Sequence, residues 1–145
     1  VPLQSLLDAG RYFLRKQKRS VGVSEKELIK IAIRSLGLNE LAPFKPEERV
    51  IEYLLRDPSQ AKLVRMDLRA FADETASESP APGGGSISAY VGALGAALGT
   101  MVANLSSHKA GWDERWEEFS DWAEKGQKLK DELLALVDED TAAFN

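Results

Sequence analysis

Two short stretches carry residue types that do chemistry: Pro80-Ala81-Pro82-Gly83-Gly84-Gly85-Ser86 and the acidic run Asp138-Glu139-Asp140. In the first, two prolines stiffen the approach. Three glycines then let the backbone adopt unusual dihedrals and come close to another surface. Ser86 stands where a helix N-cap belongs. A glycine-rich turn feeding a helix start presents free N–H groups and a positive dipole end, which suits a carboxylate or a phosphate. Gly83, Gly84, Gly85 and Ser86 are therefore candidate binding residues. No Lys follows the glycines, so the stretch is not a Walker A loop. The plainer reading is a turn between two helices, and residue physics alone favours it.

In the acidic run the default is a solvated face. Asp140, however, lies seven residues after Leu133, four after Leu136, three after Val137 and four before Phe144. Helical spacing puts it on the apolar stripe, with Asp138 and Glu139 projecting elsewhere. A carboxylate held among apolar groups tends to have a raised pKa and can exchange a proton near neutral pH. Two readings of Asp140 stand: a proton-transfer group, or a carboxylate that caps a neighbouring helix. His108 reads as an ordinary helix-end residue. Trp112, Trp116, Phe119, Trp122 and Ala123 share one helical face. Such a stripe is more often core than a platform for a flat ring.

Composition removes other chemistries. With no cysteine there are no disulfides, thiolate nucleophiles or Cys-based zinc sites, which fits a cytoplasmic protein. The single histidine excludes a two-histidine metal site, and no metal is expected. The net charge of −4 provides no basic field for nucleic acid. The run Arg15-Lys16-Gln17-Lys18-Arg19 reads as a solvated helix end.

The elements that must position these residues are all predicted helical, with no strong strand alternation and no internal repeat. Residues 3–19 form a helix with Leu3, Leu6, Leu7, Phe13 and Leu14 on one side. Ser24-Glu25-Lys26-Glu27 is a capping box that starts a helix presenting Leu28, Ile31, Ala32 and Leu36, and Gly37 stops it. Pro46 opens a third, with Val50, Ile51, Leu54 and Leu55 inward. Residues 56–62 break the pattern and read as a linker. A short helix with Leu68, Phe71 and Ala72 precedes the glycines. One long helix then runs from Ile87 to about His108, and the later register continues through Leu129, Leu133, Leu136, Val137 and Phe144.

The long helix has no charged residue between Glu78 and Lys109. Small residues spaced by four, Gly92/Ala96 and Gly95/Gly99, let helix backbones approach closely. The run approaches the length of a membrane span. Ser88, Thr100, Asn104 and Ser106, with few Leu, Ile and Phe, argue instead for a helix buried in a bundle or a dimer contact. Val1-Pro2 in place of a start Met, and a helical pattern without a stop signal up to Asn145, predict a piece of a longer chain.

The stretch LRAFADETASESPAPGGGSISAYVGALGAALGTMVANL resembles the opening of a formimidoyltetrahydrofolate cyclodeaminase domain. Before it, VPLQSLLDAGRYFL and SLGLNELAPFKPEERVIEYLL resemble the end of a glutamate formimidoyltransferase domain. Their order is that of the bifunctional formimidoyltransferase-cyclodeaminases, and the resemblance covers essentially the whole chain. It implies residues 1–55 as the end of an α/β transferase domain, 56–63 as a linker, and 64–145 as the truncated start of an all-α cyclodeaminase bundle.

The family's transferase moves a formimidoyl group from formimidoylglutamate, a histidine breakdown product, to tetrahydrofolate. Its cyclodeaminase closes 5-formimidoyl-tetrahydrofolate to 5,10-methenyltetrahydrofolate and releases ammonia. By resemblance, the aspartate of the segment LVDED that carries the proton matches Asp140. The implied cosubstrate is tetrahydrofolate, polyglutamylated. No metal or organic cofactor is implied, because the formimidoyl group is already activated. Dimers or rings of dimers are implied as the assembly, with neither nucleic acid nor a membrane span. The transferase's catalytic residues would lie upstream of Val1, and the isolated piece would be inactive or nearly so. Two other readings are a stand-alone methenyltetrahydrofolate cyclohydrolase-like domain and a non-catalytic helical oligomerisation module.

Overall fold

Every regular element in a computed structural model, which describes residues 1–144 and Phe144 through its backbone alone, is a helix. In chain order these are α1 (Leu3–Lys16), α2 (Glu25–Ser35), α3 (Pro46–Arg49), α4 (Ile51–Leu54), α5 (Leu68–Thr75), α6 (Gly84–Ser107) and α7 (Trp116–Phe144). Single 3-10 turns lie at Pro58–Gln60 and Asp113–Arg115. The all-α expectation holds among the described residues.

These residues form two compact units. The first joins Val1–Arg56 to Thr100–Gln127, and the second joins Asp57–Gly99 to the described residues from Lys128 on. The division cuts across the linear one expected from the sequence, because α6 and α7 each contribute to both units.

In the first unit α1 and α2 bury facing apolar stripes. Leu6, Ile29, Ala32, Ile33 and Val50 form one cluster, and Leu14, Val21 and Leu28 another. The two helices come close enough that a Cβ on Gly10 would collide with the backbone of Leu28. Ser24 accepts the Glu27 N–H at 3.2 Å, the first half of the expected capping box.

Several expected boundaries move. Helix α1 stops at Lys16 rather than 19. Lys18 adopts φ 55°, and the Arg19 N–H turns back to the Leu14 carbonyl at 2.9 Å. That is a left-handed C-terminal reversal with lysine where glycine is usual. The helix after Pro46 breaks at extended Val50 into α3 and α4. Val50 is buried, whereas Ile51, Leu54 and Leu55 are exposed. Leu36, expected inward, caps α2 and is half exposed, while Ile29 and Ile33 bury instead.

The segment after α1 is pinned to α6 and α7. Ser120 Oγ accepts the Val21 N–H at 2.9 Å. The Gly22 carbonyl accepts from Asn104 Nδ2 at 2.8 Å and Gln127 Nε2 at 3.1 Å. Trp112 and Phe119 stack at 5.5 Å, and Ala123 is fully buried. Trp122 points to solvent with Lys125 over its ring, so the aromatic stripe is only partly core.

Helix α6 is two-faced. Ser86, Ala93, Thr100 and Ser107, spaced by seven, are buried. Val91, Leu94, Leu98, Met101, Val102 and Leu105 are exposed, so within this chain the helix is buried along one stripe alone. By length and composition α6 is long and apolar enough to cross a membrane.

Candidate active site

The candidate site lies in the second unit, where the first turn of α6 meets the last described turns of α7. Helix α6 begins at Gly84, three residues before the expected Ile87. The Ile87 N–H bonds the Gly83 carbonyl at 3.1 Å, so Gly83 is the residue that caps the helix. Gly84, Gly85 and Ser86 occupy its first turn, where backbone N–H groups have no intrahelical acceptor. The glycines thus do provide an amide-rich helix start.

Ser86 is not the N-cap. It is fully buried, and its hydroxyl donates to the Val137 carbonyl at 2.6 Å, with Thr141 Oγ1 at 3.4 Å. A serine on the inner face of a first turn is better used between helices than as a cap. Its role is to lock α6 onto α7, and it is not free to bind a ligand through its side chain.

Asp140 sits one residue before Thr141 and reaches Gly85. A Cβ built on Gly85 would overlap the Asp140 carboxylate, so that carboxylate lies directly on the first turn of α6. The two sequence-predicted features therefore come together, although 54 residues separate them between Gly85 and Asp140. The predicted burial does not hold. Asp140 and Leu136 are exposed, and within the expected stripe only Val137 is fully buried, with Leu133 half-buried. The Phe144 side chain lies outside the described residues. The helix turns inward through Leu134, Val137 and Thr141, which leaves Asp140 on the rim. Among the described residues no hydrogen bond or ion pair engages its carboxylate, which leaves it open to an incoming group.

Asp138, expected to project away from the apolar stripe, accepts two backbone N–H groups, from Leu63 at 2.8 Å and from Val64 at 3.2 Å. It ties the segment before α5 to α7. No local pattern in the sequence marks that role, because its partners are 75 and 74 residues away. Beside it, Leu63, Met66, Phe71, Tyr90 and Val137 line a cavity of about 50 Å³. Phe71 and Tyr90 lie 5.5 Å apart across it. Ligand pockets are typically about 300 Å³ or more, so this space is an imperfection of packing and not a seat for a ring system. His108 and the tryptophans belong to the first unit and contribute nothing here. No group of three or more His, Cys, Asp or Glu among the described residues is arranged to hold a metal.

Comparison with known proteins gives this arrangement a family context. The profile described as Formiminotransferase-cyclodeaminase matches residues 67–145, just over half of the chain, and that of the Formiminotransferase domain matches residues 1–56. Formimidoyltransferase-cyclodeaminase of Rattus norvegicus is 41% identical over 99% of this chain, and that of Gallus gallus 38% over all of it. The chain spans 27% of the length of each. A Methenyltetrahydrofolate cyclohydrolase of Methylorubrum extorquens is 37% identical over 54% of this chain and 38% of its own length. The glycine-rich helix start and Asp140 both fall within the matched residues 67–145, and the chain belongs to the formiminotransferase-cyclodeaminase family.

Proposed function

We propose that the protein carrying this chain converts 5-formimidoyl-tetrahydrofolate to 5,10-methenyltetrahydrofolate and ammonia, in a polypeptide that also transfers the formimidoyl group from formimidoylglutamate to tetrahydrofolate. The observation that carries the reading is the carboxylate of Asp140 resting on the amide-rich first turn of α6 at Gly85. In the ring closure the folate's arm nitrogen bonds to the formimidoyl carbon and gives up its proton. The formimidoyl group enters as its amidinium cation, so after this addition its nitrogen is an NH2 group. That nitrogen takes up the proton, its bond to carbon breaks, and it leaves as ammonia. An unpaired, solvent-facing carboxylate can accept the first proton and return it in the second step. Asp140 is the proton carrier in this scheme. The N–H groups of Gly84 and Gly85 face an anionic part of the substrate, consistent with helix-terminus electrostatics.

In this reading residues 1–55 close the transferase domain, 56–63 link, and 64–145 begin the cyclodeaminase domain. Tetrahydrofolate, in polyglutamylated form, is the cosubstrate. The exposed apolar face of α6 packs within an oligomer of the full-length protein, not in a membrane, and the enzyme works in the cytoplasm in histidine breakdown. The test is methenyltetrahydrofolate formation by the full-length protein and its Asp140→Asn variant. Loss of the cyclodeaminase step with the transferase step intact is expected. Undiminished ring closure in Asp140→Asn would overturn the assignment.

A further inference from the structure

A second concave feature, in the first unit, is unrelated to the site above. A cavity of about 360 Å³ opens between α1 and α2, within the size range of small-molecule pockets. Arg19, Lys30, Arg34 and His108 line it, and Glu27 is the one carboxylate among the lining residues. Glu27 lies 4.0 Å from Lys30 Nζ. That pairing leaves the guanidinium groups of Arg19 and Arg34 without a carboxylate partner among the described residues. Elsewhere in the same unit Arg11 and Arg15 face Glu124, Arg56 faces Glu25 and Arg115 faces Glu118, while Arg49, outside the cavity, also lacks a carboxylate partner among the described residues.

Helix polarity explains part of the pattern only. A cation in the last turn of α2 complements the negative end of the dipole, which accounts for Arg34. Lys30 lies a full turn earlier, and Arg19 lies beyond the end of α1. The left-handed turn at Lys18 folds the chain back towards Leu14, another lining residue, and brings Arg19 to the cavity. Three cations and one carboxylate line the cavity, which leaves it a net positive charge that a bound anion would offset. Guanidinium forks match carboxylate and phosphate oxygens two at a time. Val23 and Ile31 add apolar wall to the same cavity.

We propose that this cavity binds a small polyanion carrying at least two carboxylate or phosphate groups, gripped by Arg19 and Arg34. The experiment titrates the full-length protein with citrate, with inorganic pyrophosphate and with glycerol as a neutral control, followed by calorimetry. Saturable binding of citrate, pyrophosphate or both is expected, weakened at least tenfold by Arg19→Gln and by Arg34→Gln. Lys26→Gln, an exposed cation of α2 outside the cavity, should leave it unchanged. Preference between the two anions identifies the oxyanion type. Absence of saturation with either anion overturns the proposal. So does binding that ignores both arginine substitutions, or that weakens equally with Lys26→Gln. All three side chains are exposed, so folding of the variants, checked by their melting temperatures, is preserved.

Discussion

The carboxylate of Asp140 occupies the space that any side chain at residue 85 would need, so Gly85 and Asp140 fit each other across α6 and α7. This is a close approach that requires glycine for want of room, not for its dihedral freedom. Gly85→Ala would push an exposed, unpaired carboxylate aside by rotation about χ1, at a stability cost under about 1 kcal/mol. The displacement matters more to chemistry. Misplacing a catalytic group by about an ångström is enough to cost roughly 100-fold in rate. The expected outcome is a protein of nearly unchanged melting temperature whose cyclodeaminase kcat falls at least about tenfold. An unaltered kcat in Gly85→Ala would separate this contact from catalysis.

Asp138 holds the other end of the arrangement. Its two oxygens accept the N–H groups of Leu63 and Val64, and Leu63 is itself buried. Removing the carboxylate strands a donor in a dry position, at about 1–3 kcal/mol. Asp138→Ala should lower the urea midpoint accordingly, with Asp138→Asn intermediate because it keeps one acceptor. Amide exchange at residues 63 and 64 should quicken in both variants. Unchanged protection there would show that Asp138 does not fasten this segment.

Lys18 is the one described non-glycine residue with positive φ, and it sits at the C-terminal reversal of α1. Left-handed backbone costs an L-residue about 1–2 kcal/mol, whereas glycine adopts it freely. Part of that gain is offset by the greater entropy of glycine in the unfolded chain. Lys18→Gly should therefore stabilise the protein by about 0.5–1 kcal/mol, read as a rise in urea midpoint. A lower midpoint would mean that the lysine side chain contributes to stability in its own right.

The parts of the fold that were legible in the sequence are those governed by local rules. Ser24 caps α2 as its spacing to Glu27 predicts, and Pro46 opens α3. The glycine stretch does feed a long helix. What escaped were features set by contacts far apart in sequence. Helical spacing put Asp140 on an apolar stripe, but spacing gives a direction around one helix and not which arc the neighbouring helix covers. Helix α6 covers the arc of Val137 and Thr141 and leaves Asp140 at its rim. Ser86 looked like a cap because serine before a helix usually is one. Its buried bond to Val137, 51 residues away, has no trace in the local pattern.

The Tyr53 hydroxyl donates to Glu25 Oε1 at 2.6 Å, and the Arg56 guanidinium lies 4.1 Å from the ring centre and 3.4 Å from the same carboxylate oxygen. Burial first, then the hydrogen bond to Glu25 and its negative charge, push the Tyr53 phenol up to about 12, while Arg56 opposes the rise. A group whose pKa is raised on folding contributes stability fully present below its unfolded value near 10. That contribution is lost as pH rises from about 10 through about 12, because the folded state resists giving up the proton that the unfolded chain has already lost. Solvent screens this half-buried group, so the loss is about 1 kcal/mol. Tyr53→Phe removes the titrating proton. The wild-type urea midpoint should fall more steeply than the variant's between these limits, and the two curves should run parallel below pH 9. Parallel curves throughout would show that Tyr53 titrates alike in the folded and unfolded chain.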